Sequence, residues 1–197
     1  MRKLFVVCLT LITVAAVYGS QPEVRGYRAA YGSGSAGNEL YTQTDWIKFN
    51  SPEGRFSVLL PHEPKFESVA ATETSGITNY RYSDIESGYG FICEYFDVPS
   101  AGDDVQSFLD TTRDGILKGA GATKVSEEKI SLNSYPGREL QMSFTLKEGT
   151  EIIARTRIYL VDKRLYSITF MNVKSMDSAL VADYAKKFFA SSEVKGK

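Results

Sequence analysis

The stretch RELQMSFTLK (138–147) sets Leu140, Met142, Phe144 and Leu146 against Gln141, Ser143, Thr145 and Lys147. Strict alternation of this kind admits one local structure, a β-strand with one dry face and one wet face. The same period recurs along the chain. RFSVLL (55–60) places Phe56, Val58 and Leu60 on one side, and GITNYRYSDI (76–85) does so with Thr78, Tyr80 and Tyr82. FICEYFDV (91–98) is apolar on both sides, with Phe91, Cys93 and Tyr95 opposed to Ile92, Phe96 and Val98. Between these last two runs, residues 84–90 carry the glycines and short polar side chains of a hairpin turn. ATKVSEEKISL (122–132) is a weaker strand, and IIARTRIYLV (152–161) returns as LYSITFMNV (165–173) after the turn DKR.

The period changes twice. In DDVQSFLDTTRDGILKG (103–119), Val105, Phe108, Leu109, Thr112 and Ile116 fall at helical spacing, with Asp103 as a cap and Gly119 as a stop. Phe108 and Leu109 are the residues expected to pack on a sheet. A closing helix carries Leu180, Val181, Tyr184 and Phe188 on one stripe, with Ser175 as its cap. Strands, a helix, a meander of strands and a second helix add up to an α+β domain: an antiparallel β-sheet flanked by helices.

The N-terminus reads as a secretory signal. Arg2 and Lys3 precede an apolar run from Leu4 to Tyr18 of about 15 residues, short of the ~20 that span a bilayer, and small residues follow up to Gly19. The expected organisation is a signal peptide over 1–19, a flexible Gly/Ser-rich linker over 20–44 and a single α+β domain over 45–192, exported to a periplasmic or extracellular space. An uncleaved anchor is the alternative reading of residues 4–18. Cleavage removes Arg2, Lys3 and Cys8, which leaves 21 basic against 24 acidic residues, a net charge of −3. It also leaves one cysteine, Cys93, so the core and not an internal disulfide must hold the exported domain together. No basic run suggests nucleic acid as a partner.

The inventory excludes most chemistry. His62 is the single histidine of the chain, and in PHEP (61–64) it lacks the second histidine of a zinc-helix motif, while the prolines forbid a helix. PHEP therefore reads as the exit turn of the strand before it, with Glu63 as the neighbouring carboxylate and no metal or other cofactor expected. Cys93 sits between Phe91 and Tyr95 on one strand face, a buried small hydrophobe and not a thiolate nucleophile. GSGSAG (32–37) spells a nucleophile elbow, but it lies in the linker, without the strand and helix such an elbow needs. Asp103 and Asp104 suit the start of a helix dipole and fall short of a calcium ligand set. No phosphate loop or dinucleotide fingerprint occurs. Catalysis by two carboxylates alone stays open.

Arg155, Arg157 and Tyr159 share one strand face at positions i, i+2 and i+4, and with Lys163 and Arg164 they form a basic, partly aromatic patch suited to an acidic partner. The alternative for that face is plain solvation. On the alternative reading of a small-ligand carrier, Tyr80, Tyr82 and Phe108 line a cavity between sheet and helix.

Four segments carry a resemblance: WIKFNSPEGRFSVLLPHEPK (46–65), YPGRELQMSF (135–144), RIYLVDKRLYSITF (157–170) and KKFFASS (186–192). Over residues 45–192 the chain resembles exported bacterial domains of the PsbP-like and DcrB-like kind. The resemblance implies an α/β/α sandwich, and relatives that are mostly non-enzymatic envelope proteins or accessory subunits docking on larger complexes. It brings no functional residue with it. The reading is an exported, non-catalytic binding or accessory protein that docks on a protein partner. A small-ligand carrier and a carboxylate-dependent hydrolase are the rivals.

Overall fold

The alternating segments pair into two antiparallel sheets. In the computed structural model, residues 45–69, 77–99 and 104–196 are described, so the expected signal and linker (1–44), the 32–37 motif and Asp103 lie outside the described residues. Strands β1 (Ile47–Ser51), β2 (Phe56–Leu60) and β10 (Glu193–Val194) form a small sheet in the order β1-β2-β10. Strands β3 (Lys65–Val69), β4 (Asn79–Glu86), β5 (Tyr89–Asp97), β6 (Thr123–Leu132), β7 (Tyr135–Thr145), β8 (Glu151–Val161) and β9 (Arg164–Val173) form a sheet of seven, ordered β3-β4-β5-β9-β8-β7-β6. Helix α1 (Val105–Ala120) covers one face of it; helix α2 (Ser178–Ser191) and the small sheet cover the other. This is the α+β arrangement, an antiparallel sheet flanked by helices.

The two faces of FICEYFDV separate as the alternation requires. Phe91, Cys93 and Tyr95 enter the core under α2 and the small sheet, together with Phe56, Val58, Leu60, Ile168, Phe170 and Phe188. Ile92, Phe96 and Val98 enter the core under α1, with Leu109, Ile116, Met142, Phe144 and Leu165. The hairpin between β4 and β5 is tighter than the expected 84–90 turn. Glu86 pairs with Tyr89, so Ser87 and Gly88 alone make the turn, with Gly88 at φ 98°. Asp84 and Glu86 are therefore strand residues.

The helix ends also differ from the sequence reading by one or two residues. Asp104, not Asp103, caps α1, its Oδ1 accepting from the N–H groups of Gln106 (2.9 Å) and Ser107 (3.1 Å). The helix runs past Gly119 and stops at Gly121, which takes the left-handed conformation (φ 58°). Asp177, not Ser175, caps α2, accepting from Ala179 N at 2.8 Å and Leu180 N at 3.0 Å. Strands β1, β3 and β10 carry too little alternation to be read as strands, and tertiary pairing forms them. β10 sits just past residue 192, where it adds Glu193 and Val194 to the edge of β2.

Charge is buried on the α1 side. Arg81 and Glu94, cross-strand partners on β4 and β5, pair at 2.6 Å with both side chains buried. Arg138 of β7, also buried, reaches Asp110 of α1 at 3.0 Å and Glu127 of β6 at 3.4 Å. Glu127 further accepts from Arg113 (2.9 Å) and Lys124 (2.7 Å). Burial works against the charge of Glu127, but the hydrogen bonds from Lys124 and Arg113 outweigh it and lower its pKa. This lattice ties α1 to the otherwise exposed edge strand β6.

Two outcomes follow. Phe188→Ala removes a fully buried ring from the α2 core and is expected to lower unfolding free energy by about 3–5 kcal/mol, read from urea denaturation. Glu127 has a folded pKa below its ordinary 4.5, so its stabilisation is complete above that value and is lost as pH falls through the folded one. The stability advantage of wild type over Glu127→Gln is therefore expected to shrink on acidification below pH 4.5, and a rising advantage there would contradict the lattice.

Candidate functional site

Strand β8 directs Ile153, Arg155, Arg157 and Tyr159 to the α2 face, as its alternation requires. The three residues of the expected patch do not share one environment. Tyr159 is buried in the α2 core, and burial pushes its phenol above the ordinary range. It packs against Gly137, its register partner on β7, where a Cβ would fall 2.5 Å from the Tyr159 ring. Arg157 is held in place: its Nε donates to Glu139 Oε2 at 2.6 Å and its guanidinium lies 4.6 Å over the Phe189 ring. Glu139 is thereby committed to Arg157, and Arg155 stands 3.9 Å from its other oxygen. Arg155 is the most exposed of the three, at 43% against 30% for Arg157, and it borders an open surface. Arg164, expected in the same patch, is fastened instead to both carboxylate oxygens of Asp97 at 2.7 and 2.8 Å.

That surface is a groove of about 240 Å³ between α2 and strands β7, β8 and β9. Its floor is Ile153, Phe170, Val181 and Ala185, and its rim carries Arg155, Lys174, Gln141 and Asn172. Helix α2 contributes two small residues to its lining, Ala182 at an exposed position and Ala185 at a buried one. Lys174 on the rim is engaged with Glu151 at 3.1 Å.

Tyr80, Tyr82 and Phe108 do not come together. Tyr80 stacks on Tyr95 (5.0 Å, 18°), and Tyr82 packs against Phe49 (5.0 Å) and Phe66 (4.9 Å), all on the α2 face. Phe108 packs in the opposite core beneath α1. The sheet lies between them, because Tyr80 and Tyr82 fall on the β4 face that points away from α1. The space under α1 that Arg81, Ile116 and Thr156 line amounts to about 30 Å³, the size of one water and far below the ~300 Å³ of a small-molecule site. Cys93 is buried, and desolvation pushes its thiol well above the ordinary range, which keeps it inert.

His62 has a more specific environment than an exit turn supplies. Its backbone N–H donates to Asp84 Oδ2 at 3.0 Å, and its ring Nδ1 lies 3.3 Å from Asp84 Oδ1 and 3.6 Å from Glu86 Oε1. The carboxylates that meet it are these two, not its neighbour Glu63. Asp84 and Glu86 stand at i and i+2 on β4, on the same face as Tyr80 and Tyr82. The phenol of Tyr89, paired with Glu86 across the hairpin, is pushed up to about 12 by burial first, then by Tyr184 and by the two carboxylates. The one signal for this cluster in the sequence is the Ser87-Gly88 dipeptide, which permits a two-residue turn and so extends β4 through Glu86. The approach of His62 depends on how the β2–β3 connection crosses β4.

No family model matches the chain, and no curated protein matches it. Solved structures do. The solution structure of cyanobacterial PsbP from Synechocystis sp. PCC 6803 is similar over 83% of this chain and 99% of its own, at 14% identity and a TM-score of 0.49. A Pseudomonas aeruginosa protein of unknown function, called a putative regulator, is similar over 72% of this chain and 91% of its own, at 11% identity and a TM-score of 0.43. The Saccharomyces cerevisiae Ran-binding protein Mog1p is similar over 78% of this chain and 97% of its own, at 8% identity and a TM-score of 0.44. Likeness at this level says nothing of what this chain binds. Among the described residues, no helix is long and apolar enough to cross a membrane.

The different roles of the two arginines have a direct readout. Arg157→Ala removes both the Glu139 bond and the stacking on Phe189, and is expected to destabilise by about 1–2 kcal/mol. Arg155→Ala is expected to change stability by about 0.5 kcal/mol or less, both measured by urea denaturation.

Proposed function

We propose that the chain is an exported, non-catalytic accessory protein, and that it docks a protein partner by taking an extended acidic and apolar segment of that partner into the groove beside α2. The observation that carries this reading is the groove itself: an apolar floor of Ile153, Phe170 and Val181 with Arg155 at its rim. Apolar side chains of the partner would cover the floor. A carboxylate of the partner would meet Arg155, whose guanidinium has only a distant internal partner because Glu139 serves Arg157. Most neighbouring cations lack that freedom; Arg157 and Arg164 are fastened within the fold. A sheet-and-helix groove whose edge carries Arg155, held only by a long 3.9 Å contact to Glu139, favours recognition of a peptide segment over turnover of a small substrate.

The test is quantitative capture of the partner by cross-linking in the native envelope, with wild type compared against Arg155→Glu and Ala182→Trp. The first reverses the rim charge, and the second fills the groove from an exposed position on α2. Both variants are expected to keep wild-type stability and to lose about tenfold or more of the same captured partner. Equal capture by wild type and both variants would remove the groove from the function.

A further inference from the structure

We propose that His62, Asp84 and Glu86 form a binding site for a divalent transition metal of zinc's class. The three offer one imidazole nitrogen and two carboxylate oxygens, and these ligand atoms all lie within 4.8 Å of one another. His62 Nδ1 stands 3.3 Å from Asp84 Oδ1 and 3.6 Å from Glu86 Oε1. Metal–ligand bonds of about 2.0–2.1 Å at tetrahedral angles set neighbouring ligands about 3.3–3.4 Å apart, so the His62–Asp84 spacing is already that of ligands around one ion and the 3.6 Å His62–Glu86 spacing needs a small inward shift of the half-exposed Glu86. For an ordinary N–H···O hydrogen bond, which centres near 2.9–3.0 Å, both are long.

Asp84 supplies the second observation. Its side chain is 4% exposed and its Oδ1 is aimed at the imidazole. Among the described residues, the ionic contacts of Asp84 and Glu86 run to His62 and to no lysine or arginine. A buried carboxylate with a second one beside it is costly unless a positive charge compensates them. An ion of charge +2 bound at His62 Nδ1 would neutralise both. The ligands are also held in place. Asp84 and Glu86 lie on a strand paired on both sides over Asp84's neighbourhood, and His62 is fixed between Pro61 and Pro64 with its own N–H on Asp84 Oδ2. Glu86 and His62 are each half-exposed, which leaves an entry path and room for water to complete the coordination. One nitrogen with two oxygens selects against calcium, which takes about 6–8 oxygen ligands, and suits zinc, which takes imidazole and carboxylate together. The site is independent of the groove beside α2.

Because His62 is the single histidine, its imidazole proton resonances identify it without assignment. The full chain is titrated with zinc sulfate under proton NMR, and binding is measured by calorimetry for wild type, His62→Ala and Glu86→Gln. Both substitutions fall at half-exposed positions outside the core. The expected result is a saturable change of the imidazole signals at one equivalent, with affinity falling about tenfold or more in His62→Ala and in Glu86→Gln. Imidazole signals unmoved by zinc up to about 1 mM would overturn the proposal and leave the cluster as an ion pair alone. Zinc bound as tightly by His62→Ala as by wild type would overturn it equally, by placing the metal on other carboxylates.

Discussion

Strands β5 and β9 lie at the centre of the seven-stranded sheet and are covered on both faces, so almost every residue of each is buried. A strand in that position has no wet side on which to place a polar group cheaply. Each residue is either apolar or must carry its partner with it. Phe91, Cys93 and Tyr95 serve one core while Ile92 and Phe96 serve the other, and the two cores share this single backbone layer. Two of the polar exceptions are satisfied across neighbouring strands, whereas the Ser167 hydroxyl of β9 is buried without a hydrogen-bond partner among the described residues. Glu94 of β5 is matched by Arg81 directly across on β4, and Thr169 of β9 shares a 2.9 Å hydrogen bond with Thr156 of β8.

Covering both faces also decides where function has room. Under α1 the interior is tight, while the lattice of Arg138, Asp110, Glu127 and Arg113 lines an open polar depression of about 520 Å³ at its margin. The α2 face is assembled from more pieces, a helix and a small three-stranded sheet, and its fit is looser. The groove beside Ala182 and the meeting of His62 with Asp84 both belong to that face. They arise for a shared reason: small pieces meeting a twisted sheet leave gaps at their borders, and polar side chains collect there.

Much of the fold was legible because alternation and helical spacing are local. Leu140 to Leu146, Phe91 to Val98 and the two helices follow from period alone, and the antiparallel hairpins follow from the short turns joining them, whereas the pairing of β5 with β9 does not. The candidate sites were less legible. Arg155, Arg157 and Tyr159 share a strand face as their spacing requires, yet Phe189 and Glu139 claim Arg157, the core claims Tyr159, and Arg155 is left with a distant contact to Glu139. Tyr80, Tyr82 and Phe108 are all aromatic and all near the sheet, but strand parity and helix placement set them on opposite sides of it. Glu63 is next to His62 in the chain, whereas Asp84 and Glu86 meet it in space.

The amino-acid order on its own settled most of the strands, both helices and which face of each is dry. Those properties depend on neighbours a few residues apart, and the repeat lengths of strand and helix express them directly. The folded arrangement alone decided that β1, β3 and β10 exist, that Arg81 and Arg138 are buried with their acids, that Arg155 borders a groove and that His62 faces two carboxylates. Each of these joins residues far apart in the chain, and their encounter is set by how the layers cross, a quantity no local period contains.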